Sequence, residues 1–204
     1  MDKYVAPNFN RREAVSSFGE VDAGYIDNAA RALKKAGDVV IVEAQHRPLR
    51  DHYVKQIMAQ LLALCPHILV NRCRKDRDWM VAAINQAFVK NKVSGEKRRA
   101  GRLNEVWILE LSSSEDLGIL KLAQTLVSQF EEAGVCVLVS CSSSLTSLPE
   151  FSRWSNRVEI PVWQFEVPGA SEITAFLEQE AQNGAINQAR KLVDQLRFPG
   201  EEYE

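Results

Sequence analysis

Hydrophobic and polar positions change period several times along the chain, and the changes mark an alternation of helices and strands. Residues 25–36 (YIDNAARALKKA) carry Ala29, Leu33 and Ala36 at helical spacing, and Gly37 offers a left-handed stop. The run after Asp38 (VVIVE) is β-branched and uninterrupted, as in a strand buried on both faces. Residues 51–65 return to the helical period through Val54, Ile57, Met58, Leu61 and Leu62, with Asp51 placed to cap the start. Residues 67–73 (HILVNRC) predict a second strand, and 76–89 a helix with Met80, Ile84 and Phe88 on one face.

The second half repeats the scheme. Residues 105–111 (EVWILEL) predict a strand, and Ser112 to Glu115 has capping-box spacing before a helix reaching about Ala133. Gly134 closes that helix, residues 135–140 (VCVLVS) predict a buried strand, and 142–156 a loop with a short helical piece. A last extended segment falls within 157–166, and helices follow over 172–181 and 186–196. This order predicts an α/β three-layer sandwich, a mostly parallel sheet of about five strands with helices on both faces. The expected organisation is an N-terminal arm over 1–24, an α/β core over 25–168, a short helical extension over 169–198 and a tail over 199–204.

Composition adds limits. With 204 residues, 46% hydrophobic and 25% charged, the chain has material for one well-cored domain. A net charge of -2 gives no global attraction to polyanions, so any such binding needs a local patch. No apolar run is long enough to span a bilayer and the first residues lack a signal-peptide core, which makes the cytoplasm the expected compartment. Cys65, Cys73, Cys136 and Cys141 form no C-x-x-C pair and read as packing residues; His46, His52 and His67 are scattered, and no metal site is expected.

In an open parallel sheet, ligands bind beyond the carboxyl ends of the strands, so the link between the first strand and its helix carries the chemistry. A nucleotide-binding loop there reads GxxxxGK[ST]. This chain has Ala44-Gln45-His46-Arg47-Pro48-Leu49-Arg50-Asp51. Ala44 and Leu49 stand at the glycine positions, where side chains obstruct backbone N–H groups from wrapping phosphate. Pro48 removes a donor, and Asp51 sets a negative charge where phosphate and magnesium would lie. Arg50 replaces the lysine and keeps its charge, which leaves room for weak anion binding.

These residues, with the flanking pattern over roughly 25–182, resemble the AAA+ branch of P-loop NTPases, including its secretion-pathway and DnaA-like members. VWILEL resembles a Walker B strand, with Glu110 near the usual aspartate and Leu111 where the water-orienting glutamate would stand. VLVSCSSS resembles a sensor strand ending in Ser140 and Ser142, and Arg153 and Arg157 match arginine-finger-like positions. The resemblance implies a P-loop-like fold, a nearly absent lid and contacts between neighbouring subunits. The departures imply lost hydrolysis and no bound cofactor. Glu110 alternatively reads as a strand-end acid facing a loop cation, and Arg153 and Arg157 as ordinary surface charge.

Two further stretches matter. Residues 90–102 hold Lys97, Arg98, Arg99 and Arg102, which could meet nucleic-acid phosphates or form a solvated loop. Trp154 and Trp163, with Phe151 and Phe165, either make a partner surface or pack the last strand. Ser140 to Ser144 lack a nucleophile elbow and a later histidine base, so a serine hydrolase is not expected. The expected function is a catalytically inactive P-loop-like module that regulates or scaffolds an assembly through a protein partner or itself. The alternative is a nucleic-acid or nucleotide-sensing binder that uses the basic loop.

Overall fold

The computed structural model describes residues 16–93 and 102–197. Five strands, β1 (Val39–Ala44), β2 (Leu69–Arg72), β3 (Glu105–Leu111), β4 (Val135–Cys141) and β5 (Val162–Phe165), form one sheet in the order β2-β3-β4-β1-β5. Every pairing is parallel, so each crossover carries the chain back across a face through helix. The architecture is the P-loop-NTPase-like α/β arrangement that the sequence predicts.

Side-chain alternation along the strands divides the core in two. Val40, Val42, Val106, Ile108 and Leu138 pack one face against α1 (Glu20–Ala32), α2 (Arg47–Leu64) and α8 (Ile186–Arg197). Val39, Ile41, Trp107, Leu109 and Val139 pack the other against α3 (Arg77–Val93), α4 (Leu117–Gln129) and α6 (Pro149–Val158). Each fully buried Leu, Ile or Phe on these faces contributes about 1.5–3 kcal/mol of transfer free energy, which secures the sheet to both helix layers. Helix α7 (Ala170–Gln182) packs against α8, which in turn lies against α2, and Phe176 of α7 is buried. A short helix α5 (Ser143–Thr146) precedes α6.

Several boundaries differ from the sequence reading. Helix α1 starts at Glu20 rather than near residue 25, and the residues before it are packed: Phe18 lies 4.3 Å from Phe176, and Ser16 donates to Glu180 through its amide and hydroxyl. Helix α6 fills ten residues where a loop with only a short helical piece was expected; Pro149 is tolerated in the first turn, and Phe151 and Trp154, three apart, give it a buried side. The carboxylate organising the start of α4 is Asp116, which accepts the Ser112 and Ser113 amides, one residue beyond the expected Glu115. Helix α2 starts at Arg47 rather than Asp51, and this shift rebuilds the candidate site.

Candidate functional site

Between the last residue of β1 and the first of α2 lie only Gln45 and His46. Arg47, Pro48, Leu49 and Arg50 are the first turn of the helix, not a loop. Proline fits there because the first helical N–H groups have no intrahelical acceptor to lose. Within that turn Pro48 has no N–H, and those of Leu49 and Arg50 are both given to the His46 carbonyl, at 3.1 Å each. A phosphate nest needs several N–H groups converging on one point. Only the Arg47 N–H of this turn remains for an anion.

The side chains close the place further. Leu49 is fully buried under the sheet end. Arg50 is 5% exposed and folds back toward β1, donating from Nη1 to the Ala44 carbonyl at 3.0 Å and the Gln45 carbonyl at 3.3 Å. Its fork therefore satisfies the backbone acceptors that end the strand, and the charge expected to attract an anion is directed inward. The sequence reading kept weak anion binding open on account of Arg50. The geometry offers no support for it.

Asp51, in the second turn, does not cap the helix; the N-cap residue is His46, and it makes no side-chain cap bond. Burial raises the Asp51 carboxyl above its ordinary range, the negative charge of Glu110 adds to this, and Arg47 partly opposes it. Two carboxylates close enough to repel one another would also repel a triphosphate.

Glu110, the last residue but one of β3, lies on the α2 face. Its Oε1 lies 3.1 Å from Arg72 Nη1 and its Oε2 3.5 Å from Arg47 Nη2. Arg47 also reaches Asp51 at 4.0 Å. The strand-end acid thus faces cations from α2 and from the end of β2, and the metal-binding corner of a working site is filled by an Arg–Glu–Arg cluster. Leu111 points to the opposite face and is buried there, so no side chain at that position reaches the α2 side. Ser140 is buried opposite Glu110, and Ser142 and Ser144 share a 2.6 Å hydroxyl contact. The donors and charges of this corner do not fit a nucleotide with its metal.

The remaining expected residues are spread elsewhere. Arg153 and Arg157 are exposed on α6, and Arg153 Nε donates to the Pro149 carbonyl within its own helix. Trp154 is buried beside Phe151, at 5.9 Å, so its ring belongs to the core. Trp163 is half-buried at 5.3 Å from Tyr25, and its enclosed Nε1 has no hydrogen-bond partner. Phe165 stacks on Tyr53 at 3.7 Å. Arg102 is exposed ahead of β3, while Lys97, Arg98 and Arg99 lie outside the described residues.

Sequence reasoning missed three features. Arg47 and Arg72 were not connected to Glu110, because nothing in the linear order marks the ends of β2, β3 and α2 as neighbours. Lys75 and Asp116 pair at 2.8 Å on the same rim; burial pushes the Asp116 carboxyl up, but Lys75 and the Ser112 and Ser113 amides outweigh it and hold it below its usual range. His52 is buried with Nε2 unpartnered among Phe18, Tyr53 and Phe176. Periodicity alone could have flagged it, since it precedes Tyr53 on the buried side of α2.

No family model matches the chain, and no curated protein matches it. Among solved structures it is similar to Saccharomyces cerevisiae RIF2, at 10% identity and a TM-score of 0.49, over 95% of this chain and 75% of that one. It is also similar to C. elegans PCH-2, at 14% identity and a TM-score of 0.46, over 87% of this chain and 50% of that one. Likeness at this level speaks to neither family nor activity. No helix of the described residues is long and apolar enough to cross a membrane.

Proposed function

We propose that this chain is a catalytically silent P-loop-NTPase-like module of the AAA+ type, acting by regulating or scaffolding a cytoplasmic assembly through protein contacts. The observation that carries the reading is the Arg50 guanidinium, bonded to the Ala44 and Gln45 carbonyls where the phosphate loop would stand. The Arg47–Glu110–Arg72 cluster supports it from the second strand. With both corners occupied by the protein's own groups, the fold keeps its shape without a ligand. What such a fold retains is its surface. The exposed arginines of α6, Arg153 and Arg157, with half-buried Trp163 on the edge strand, are the residues offered for a partner or for a second copy.

Phosphate release from ATP and GTP with magnesium tests the silent half. The purified chain is expected to match a buffer blank, and Arg50→Ala and Glu110→Gln to change nothing. Turnover abolished by either substitution overturns the reading. The contact half is tested by cross-linking the chain to the partner that co-purifies from its native host. Cross-links are expected on α6 and β5, and a chain that stays monomeric and partner-free throughout contradicts it.

A further inference from the structure

The sheet ends in β2 on one side and β5 on the other. On β5 the Pro161 carbonyl accepts from Ile41, so by the parallel pattern Trp163 and Phe165 bond to β1, while Val162 and Gln164 turn their N–H and C=O groups outward. On β2 Leu69 and Cys73 donate to the β3 side, so Val70 and Arg72 turn theirs outward. Among the described residues no hydrogen bond reaches these outward backbone groups. We propose that β5 of one molecule takes β2 of a second copy along its open edge, parallel and head to tail, so that successive molecules extend one sheet.

The outward groups mesh when Val70 of the second copy lies beside Trp163. Val70 then donates to the Val162 carbonyl, Gln164 donates back to the Val70 carbonyl, and Arg72 donates to the Gln164 carbonyl. In that register like meets like on each face. Val70 and Trp163 both belong to the face under α1, α2 and α8. On the other face Leu69 meets Val162, and Asn71 meets Gln164. Leu69 is 57% exposed in the single molecule, and this pairing covers it.

Charge selects the parallel direction. Asp22, Glu166 and Glu172 gather at the carboxyl end of β5, and none has a cation partner among the described residues. Burial raises the Asp22 carboxyl above its ordinary range; the Tyr53 hydroxyl opposes this, and the charges of Glu172 and Glu166 add to it. The carboxyl end of β2 continues as Arg72-Cys73-Arg74-Lys75-Asp76-Arg77. Arg72 and Lys75 face Glu110 and Asp116, Asp76 accepts the Trp79 amide, and Asp78 lies in the first turn of α3, where a helix favours an acid. Arg74 and Arg77 are exposed and make no ion pair among the described residues. Parallel strands bring the two carboxyl ends together and set these arginines toward the unpaired acids; antiparallel addition would part them. At the amino end of β5, exposed Arg157 and Glu159 offset each other.

Proteins that avoid edge pairing cover the edge or charge it, and β5 carries no charged side chain between Val162 and Phe165. A contact between two different edges does not close on itself by a two-fold axis, so molecules add in series. Each edge is only four residues long, so a single contact is weak and growth follows concentration. A second copy is the partner that the contact half of the proposed function calls for, and only there does one rest on the other. Nucleotide turnover bears on neither edge.

The test is sedimentation velocity of the full chain over a concentration series. The chain is expected to pass through successive oligomers as concentration rises, and to retreat as salt is added. Gln164→Pro and Val70→Pro each remove an outward donor that the molecule's own sheet does not use, so each alone should abolish association. Mixed together they should form a dimer that grows no further, because each keeps the edge the other has lost. Circular dichroism shows that each variant is folded. Should proline disturb the fold, charge variants decide instead: Glu166→Lys and Arg74→Glu should each weaken association, by up to about fivefold, and the double variant should recover it. A chain that stays monomeric at every concentration overturns the proposal, as do growth untouched by these substitutions and proline variants that fail to dimerise when mixed. A monomeric chain that instead captures a different protein through β5 overturns the second copy as occupant and leaves the proposed function standing.

Discussion

Arg50, in the first turn of α2, donates to the carbonyl of Ala44, the last residue of β1, across 3.0 Å. The helix that leaves the strand is thereby tied back to the strand it left. In a nucleotide-binding relative of this fold the same place would hold a wrapped phosphate. Here a side chain performs the closure.

Removing that side chain should cost stability rather than activity. Arg50→Leu leaves two carbonyls at the strand end without their donor, and unsatisfied buried acceptors cost about 1–3 kcal/mol. Urea denaturation should show a loss in that range. Arg50→Lys should recover only part of it, because a single ammonium does not reproduce the guanidinium fork.

Glu110 should matter far less. Its partners Arg47 and Arg72 are more than half exposed, and ion pairs in that setting contribute about 0–1 kcal/mol. Glu110→Gln is expected to shift the urea midpoint barely, and less at high salt. A loss comparable to that of Arg50→Leu would mean that the cluster holds the fold together.

Much of this architecture was legible before any coordinates. β1, β3 and β4 are short apolar runs, and their burial on both faces follows from that. The start of α2 was not legible, since Pro48 and two arginines read as an exposed loop. Proline in a first turn and an arginine folded inward produce the same letters in a very different geometry. α6 was legible only as a short helical piece in a loop, because Phe151 and Trp154 are its only buried apolar anchors in a polar stretch. The ion cluster at Glu110 exists only because the sheet brings distant segments together.

Buried His52 gives the protein an acid-sensitive joint. Burial, and then the Lys55 charge, lower its pKa from 6.5 to about 4, against a raising bond to the Ser16 backbone. The unfolded chain therefore binds the proton first as pH falls. Stability from this residue is complete above about pH 6.5 and is lost on descending to about 4, a change near 3 kcal/mol. Chemical denaturation across that range should show the decline, and His52→Phe should flatten it.

The glycines should rank by what surrounds them. Gly134 is left-handed and a Cβ there meets Asn104 at 2.3 Å; Gly37 is left-handed and meets the flexible Glu131 side chain at 2.8 Å; Gly184 is left-handed with open space. Alanine at Gly184 should cost about 1 kcal/mol from backbone strain alone. Gly37→Ala should cost somewhat more, and Gly134→Ala the most. Thermal midpoints of the three variants test the order.

Titration calorimetry of the purified chain with magnesium-ATP reads the state of the Gln45–His46 connection directly. No heat of binding is expected, and no change in melting temperature at millimolar nucleotide. Saturable binding of one nucleotide per chain, weakened by Arg50→Leu, would contradict it.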